Sequence, residues 1–197
     1  ILHTFPTHFN VNNADWSIFE EVNLRFAEAA CEEAAEGATV WVHDYNLWLA
    51  PGYIRERRPD LKIAFFHHTP FPGNDVFAIL PWREQILESL LCCDVVGFHI
   101  PRYTENFARA ASTLVGANRG PKVPVDKKFI TVGTALSEGT VTSHLEHNGR
   151  CVQLLSSPVG TSPDVIQELS WSAAVENHGE LIVQDTKRGR KPLLSAS

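Results

Sequence analysis

Residues 39–74 read TVWVHDYNLWLAPGYIRERRPDLKIAFFHHTPFPGN. Two short runs rich in β-branched and aromatic residues, 39–44 and 61–68, have the length and composition of buried strands. Between them, Pro51 stands where a helix begins, and GYIRERR continues that helix, with RERR as an exposed face. TPFPGN, with two prolines and a glycine, is a stiffened loop. Working toward the C-terminus, PWREQILESLLCC (81–93) is a helix with Pro81 in its first turn, DVVGFH (94–99) a third strand, and PRYTENFARAASTL (101–114) another helix with Phe107, Ala110, Ala111 and Leu114 near one face. Short apolar strands alternating with helices predict an α/β fold, a Rossmann-like parallel sheet wound with right-handed crossovers.

On the other side of the opening stretch, Asp15 to Glu36 has the spacing of an amphipathic helix, with Phe19, Val22, Phe26 and Ala30 on its apolar side. Asn13 or Asp15 is placed to cap it and Gly37 to end it. Beyond the last helix, Asn118 to Lys128 is polar and proline-bearing, and is expected to be a surface loop. KFITVGTAL (128–136) and GRCVQLLSSPVG (149–160) are further strands, separated by a polar stretch that includes EHNG. SPDVIQELS opens a helix, with Ser162 as cap and Pro163 at the first position, and KRGRK (187–191) is a solvated linker or helix end.

In open α/β sheets, ligands bind beyond the carboxyl ends of the strands, and here those ends are chemically alike. The first ends in His43, Asp44 and Tyr45, the second in His67, His68 and Thr69, the third in His99 with Arg102 shortly after. A later strand runs into SPVGTSPD, where Gly160 precedes a helix N-terminus, a setting that favours phosphate oxygens. Imidazoles and a carboxylate on an apolar scaffold suit a small polyhydroxylated ligand, since histidine donates or accepts and aspartate accepts from hydroxyls. Any one of these histidines equally suits a polar boundary position that satisfies backbone groups; the repetition at three strand ends favours a site. His43, Asp44, His68 and His99 also have the chemistry of zinc ligands, but their spacing matches no closed motif. Arg102, at a helix start, is a candidate for a phosphate group; the alternative is a surface pair with Glu105. Trp41, Trp48 and Trp82 are assigned to packing.

Composition narrows the class. The 197 residues carry 44% hydrophobic and 20% charged side chains and a net charge of -6, ordinary for a globular chain and a poor match for nucleic acid or an anionic membrane. No apolar run is long enough to cross a bilayer, and Cys31, Cys92, Cys93 and Cys151 show no zinc-type spacing. A reducing, cytoplasmic setting is expected. The absence of methionine and the apolar ending KPLLSAS suggest a piece of a longer polypeptide.

The stretch from Val40 to His99, with its ordered strings HDY, HTPFP, LPWR and GFH, resembles the trehalose-phosphate synthase family of retaining glycosyltransferases, and the resemblance extends more loosely over the whole chain. It implies a GT-B fold with the active site between two Rossmann-like domains. Residues 1–188 would be the incomplete N-terminal, acceptor-side domain and 189–197 the first strand of a C-terminal nucleotide-sugar-binding domain. HTFPTHFN at 3–10, HDYN where the family usually has HDYH, GFHIPRYTENF and SPVGTSP place it nearest a branch in which ADP-glucose is the donor and glycerol 3-phosphate the acceptor, for osmolyte synthesis. The resemblance implies no cofactor and no metal, the nucleotide sugar serving as co-substrate. The other domain is the implied partner; a homo-oligomer is compatible with it, and neither nucleic acid nor membrane is called for.

Carried over by position, Asp44 is the acceptor-binding aspartate, with Tyr45 beside it. His68 lies against the transferred glucose, and Pro70 is in the loop that recognises its α-configuration. His99 stands where trehalose-phosphate synthases often have another polar residue. Asp44 and His68 are thus the implied catalytic pair, and Asp44, Tyr45, His68, Pro70, His99 and Arg102 the implied substrate-binding set. The family's acceptor-pocket tryptophan has no clear counterpart in HTFPTH, which suits an acceptor other than glucose 6-phosphate. The alternatives are a trehalose-phosphate synthase, a family member joining cyclitols, a non-catalytic binding module, and a metal hydrolase.

Overall fold

A computed structural model describes residues 13–126 and 138–158, all within one unit formed by residues 1–158. Helix α1 (Asn13–Glu33) precedes strand β1 (Thr39–His43), a 3-10 turn (Tyr45–Leu47) and α2 (Ala50–Arg57). Strand β2 (Lys62–His67), the short α3 (Asn74–Phe77), α4 (Arg83–Leu90), β3 (Val95–Phe98) and α5 (Pro101–Val115) follow. The chain continues through β4 (Asn118–Arg119), β5 (Lys122–Pro124), β6 (Thr140–Thr142), β7 (His144–His147) and β8 (Arg150–Ser156).

The sheet order is β1-β2-β3-β8-β7-β4. The first four strands pair in parallel, as the alternation of apolar runs and helices predicts. The expectation of a wholly parallel sheet is corrected at the far edge, where β7 pairs antiparallel with both β8 and β4. The reason lies in the EHNG stretch expected to be a connector: Asn148 and Gly149 take positive φ (49° and 74°), the two-residue turn that folds β7 back onto β8. Residues 118–128, expected as loop, contain β4 and β5, the latter paired with β6 in a separate two-stranded sheet. Helix α4 begins at Arg83, two residues after Pro81, so the proline precedes the helix. The predicted strand 128–136, the helix from Ser162, the basic run at 187–191, the segment 3–10 and the boundary at 188/189 lie outside the described residues.

One face of the sheet carries Val42, Ile63, Phe65, Val96 and Phe98, all buried beneath the helices together with Ile54, Leu87, Phe107 and Ala111. Helix α5 has a well-segregated apolar side that includes Phe107, Ala110 and Ala111, as its sequence predicts, and it ends at Gly116 in the left-handed region. Helix α1 keeps Phe19 and Ala30 of its predicted face against the core but corrects the rest. Val22 and Phe26 are exposed (41% and 57%), whereas Asn23 and Ala27 are fully buried. Apolar spacing misses this because the residue that sets the rotation is polar. The Asn23 amide donates to the carbonyls of Phe19 and Asn46, and its oxygen accepts from the backbone N–H of Leu49 (3.0 Å) and Ala50 (3.1 Å). Those N–H groups open α2, which has no side-chain cap of its own, so α1 supplies its cap across space.

Of the RERR run expected as an exposed face, only Glu56 and Arg57 are exposed. Arg55 binds the carbonyls of Cys92 and Leu61 and the Asp94 carboxylate, and Arg58 binds the carbonyls of Cys31, Ala34 and Ala35, closing the C-terminal end of α1. We expect Asn23→Ala to cost about 3 kcal/mol, because it strands several buried backbone groups at once. A urea denaturation midpoint unchanged from wild type would contradict this role.

Candidate active site

Parallel pairing brings the carboxyl ends of β1, β2, β3 and β8 to one edge, and His43, His68 and His99 meet there. His43 closes β1 and His67 closes β2; His43 Nδ1 and His68 Nε2 lie 2.9 Å apart, sharing a hydrogen bond. The His68 and His99 ring centroids are 5.5 Å apart, edge to face. Phe66 packs against both, 4.9 Å from the His68 ring and 5.0 Å from that of His99. Gly97 makes room for it, since a Cβ there would come within 2.7 Å of the Phe66 ring. His43, His68 and His99 thus occupy one rim. His99 Nδ1 and Ser156 Oγ, both buried, have no hydrogen-bond partner among the described residues. Trp41, assigned to packing by sequence, is 64% exposed, its ring tilted against that of His43 at 4.5 Å between centroids.

Asp44 follows β1 directly, with φ 61° and ψ 172°. Residues with a Cβ rarely adopt this conformation, which costs about 1–3 kcal/mol and persists only where its surroundings fix it. The Asp44 N–H donates to the Phe66 carbonyl at 2.9 Å, anchoring it to β2. Its carboxylate Oδ1 accepts from the Thr69 N–H (3.2 Å) and the Thr69 hydroxyl (3.0 Å). Partial burial works to raise the carboxyl's pKa, but the Thr69 and Tyr45 N–H groups, the Thr69 hydroxyl and the neighbouring His67 outweigh it and hold it below the ordinary value. Asp44 is therefore an ionised acceptor of hydrogen bonds at neutral pH.

Tyr45 is partly exposed and borders an apolar cavity of 220 Å³ with Trp16, Phe19, Trp48, Leu80 and Trp82. Pro70 sits in a loop held by more than its prolines: Phe71 is buried against Phe77, Phe98 and Phe107, and Asn106 donates to the Phe71 carbonyl. Arg102, in the first turn of α5, pairs with Glu138 at 2.6 Å. The expected alternative pair with Glu105 is corrected, because Glu105 is taken by Arg119, Lys122 and Thr142.

His67, at the end of β2, lies outside the set of site residues expected from sequence. It is fully buried, ringed by Trp48, Phe71 and Phe98, with Nδ1 2.7 Å from the Thr69 carbonyl and 3.8 Å from Asp44. The alternation of β2 marks it: Ile63, Phe65 and His67 share the buried face, so a histidine stands where an apolar residue is expected.

The sequence profile of glycosyltransferase family 20 matches residues 1–197. The chain belongs to glycosyltransferase family 20. It is 50% identical over 196 residues to glucosylglycerol-phosphate synthase of Synechocystis sp., covering all of this chain and 39% of that protein. It is 40% identical over 179 residues to trehalose-6-phosphate synthase of a Mycobacterium sp., covering 91% of this chain and 34% of that protein. The chain therefore spans less than two fifths of the length of these relatives. An Escherichia coli structure described as trehalose-6-phosphate bound with UDP-2-fluoro glucose superposes with a TM-score of 0.70 at 20% identity, covering 93% of this chain and 36% of that one, a likeness of fold alone. The family 20 member described here has the α/β fold of the N-terminal domain of a GT-B glycosyltransferase. Among its described residues no helix is long and apolar enough to cross a membrane.

Burial among aromatic rings pushes the His67 imidazole down to about 4, against the opposing pulls of the Thr69 carbonyl and Asp44. Between pH 6.5 and about 4 the unfolded chain protonates this residue while the folded chain does not. Its contribution to stability is complete above pH 6.5, falls as the pH drops, and is gone at about pH 4. The loss is on the order of 3 kcal/mol. Denaturant melts from pH 7 to 4 should show a shallower decline for His67→Leu than for wild type; equal slopes would refute this assignment.

Proposed function

We propose that this chain is the acceptor-side part of a glucosyltransferase that moves glucose from ADP-glucose to glycerol 3-phosphate, giving glucosylglycerol phosphate with retention of configuration. The observation that carries the reading is the 50% identity to a glucosylglycerol-phosphate synthase across the whole chain. The clustering of Asp44, His68 and His99 at one rim supports it.

In this reading the ionised Asp44 accepts a hydrogen bond from an acceptor hydroxyl, and Tyr45 flanks it. His68, braced by His43, and the loop at Pro70 hold the glucosyl group. His99 lends its unpartnered Nδ1 to the substrates. Arg102, on the helix that follows β3, is the cation for the acceptor phosphate, exchanging its Glu138 partner for phosphate oxygens. No side chain serves as nucleophile. The acceptor hydroxyl attacks from the face on which the nucleotide diphosphate departs, and the departing phosphate takes its proton. The protein contributes orientation and electrostatic stabilisation. No cofactor is required beyond the nucleotide-sugar co-substrate, which a C-terminal domain of the same polypeptide would bind.

A second reading, trehalose-6-phosphate synthesis with glucose 6-phosphate as acceptor, draws on the 40% identity to the mycobacterial enzyme. A panel of both acceptors, each with ADP-glucose and UDP-glucose, on the full-length protein separates the two. We expect product only with glycerol 3-phosphate; preference for glucose 6-phosphate would overturn the first reading. Asp44→Ala in that protein should lower kcat/KM for the acceptor by about 10–100-fold, the worth of a charge-assisted hydrogen bond. An unchanged value would remove Asp44 from the site. The 197-residue chain by itself, which spans less than two fifths of the length of these relatives, should transfer no measurable glucose; robust turnover would disprove that.

A further inference from the structure

We infer that His67 is a positioning residue: by donating from Nδ1 to the Thr69 carbonyl, it locks the turn after β2 so that Thr69 holds Asp44 in its left-handed conformation, carboxylate toward the rim. The inference adds a residue to the site proposed above and rests on that reading only for its effect on acceptor binding.

Asp44 adopts φ 61° with a Cβ in place, so something must hold it there. Two of the hydrogen bonds that fix it, from the Thr69 N–H and hydroxyl, come from one residue. Thr69 lies beyond the end of β2, immediately before Pro70. Its carbonyl is gripped by His67 Nδ1 at 2.7 Å, the shortest hydrogen bond in the group. His67 is itself the last residue of β2, in register with Phe98 of β3 and closed in by Trp48, Phe71 and Phe98. Order is thus passed from the sheet to His67, to the Thr69 peptide, and to the Asp44 carboxylate.

The imidazole is an expensive way to fill this space. With Nδ1 donating, the neutral ring leaves Nε2 as a buried acceptor without a partner among the described residues. Leucine or phenylalanine would fill the same aromatic pocket without that cost. A histidine here is explained by what Nδ1 does. The titratable groups facing it are Asp44, His68 and His99; its other ring neighbours are uncharged.

Three measurements test this. On the 197-residue chain, long-range ¹H–¹⁵N correlation spectra at pH 7 should show His67 protonated on Nδ1 and bare on Nε2; the opposite tautomer overturns the inference. The carboxyl ¹³C titration of Asp44 should lie below the ordinary value in wild type, move up toward it in His67→Leu, and return in His67→Asn, whose amide nitrogen reaches the position of Nδ1. A midpoint that ignores both substitutions overturns the inference. In the full-length protein, His67→Leu should raise KM for glycerol 3-phosphate about tenfold while sparing KM for the donor, with His67→Asn recovering most of the loss.

A purely structural role would lower the melting temperature without this split and without rescue. Should His67→Leu fail to fold, the wild-type tautomer and the His67→Asn titration still decide. If the wild-type protein uses no phosphorylated acceptor while the tautomer and titrations behave as stated, the proposed function fails and the positioning role stands.

Discussion

Parallel pairing of β1, β2, β3 and β8 is the constraint on which the rest of this domain depends. It puts four carboxyl ends on one edge and fixes their relative heights through the register His43↔Phe66, His67↔Phe98 and Phe98↔Ser156. β1, β2 and β3 then need only continue one residue past their last strand position to deliver a polar residue to that edge. Asp44, His68 and His99 are those residues. Their proximity follows from backbone hydrogen bonds made a few ångströms below them.

Rigidity at the rim comes from the apolar layer underneath. Phe71 packs edge to face on Phe98 and Phe107, with tilted Phe71–Phe77 and Phe98–Phe107 pairs beside it, fastening the proline-bearing loop to α5 and β3. Such ring pairs add about 0.5–1.5 kcal/mol each beyond area burial. They also exclude water from His67, which is why that ring stays neutral and its one hydrogen bond is strong. The strained Asp44 backbone is affordable only above a base of this kind. A looser loop would let Thr69 drift and the backbone relax to an ordinary extended conformation.

The helical layer follows the same logic with a different residue. Asn23 sits where apolar spacing calls for a hydrophobe, and its four hydrogen bonds tie α1 to the segment that links β1 with α2. That segment begins at Asp44 and Tyr45. Buried polar groups thus set the position of the chain on both sides of the strand end, Asn23 from the helices and His67, through Nδ1, from the sheet. The open sheet face, by contrast, leaves Trp41 and Leu155 largely exposed, with no described helix against them.

Much of this was legible in sequence because it is local. Hydrophobic run length and composition marked β1, β2, β3 and β8; apolar spacing marked α5; chain order marked Asp44, His68 and His99 as strand-end groups. These properties depend on residues a few positions apart, where covalent geometry does most of the deciding. What escaped was decided across tens of residues. The rotation of α1 hung on Asn23 meeting Leu49 and Ala50, the partner of Arg102 was Glu138 and not Glu105, and Arg55 and Arg58 turned inward to carbonyls of other segments. The β7–β8 hairpin was hidden in a stretch whose polar composition resembles a loop, its Asn148-Gly149 turn passed over. Sequence determined which residues could do chemistry and which edge of the sheet they would reach. Only the tertiary structure decided how Asp44 is held, because a buried histidine and a strained backbone gain their meaning from contacts that no single segment contains.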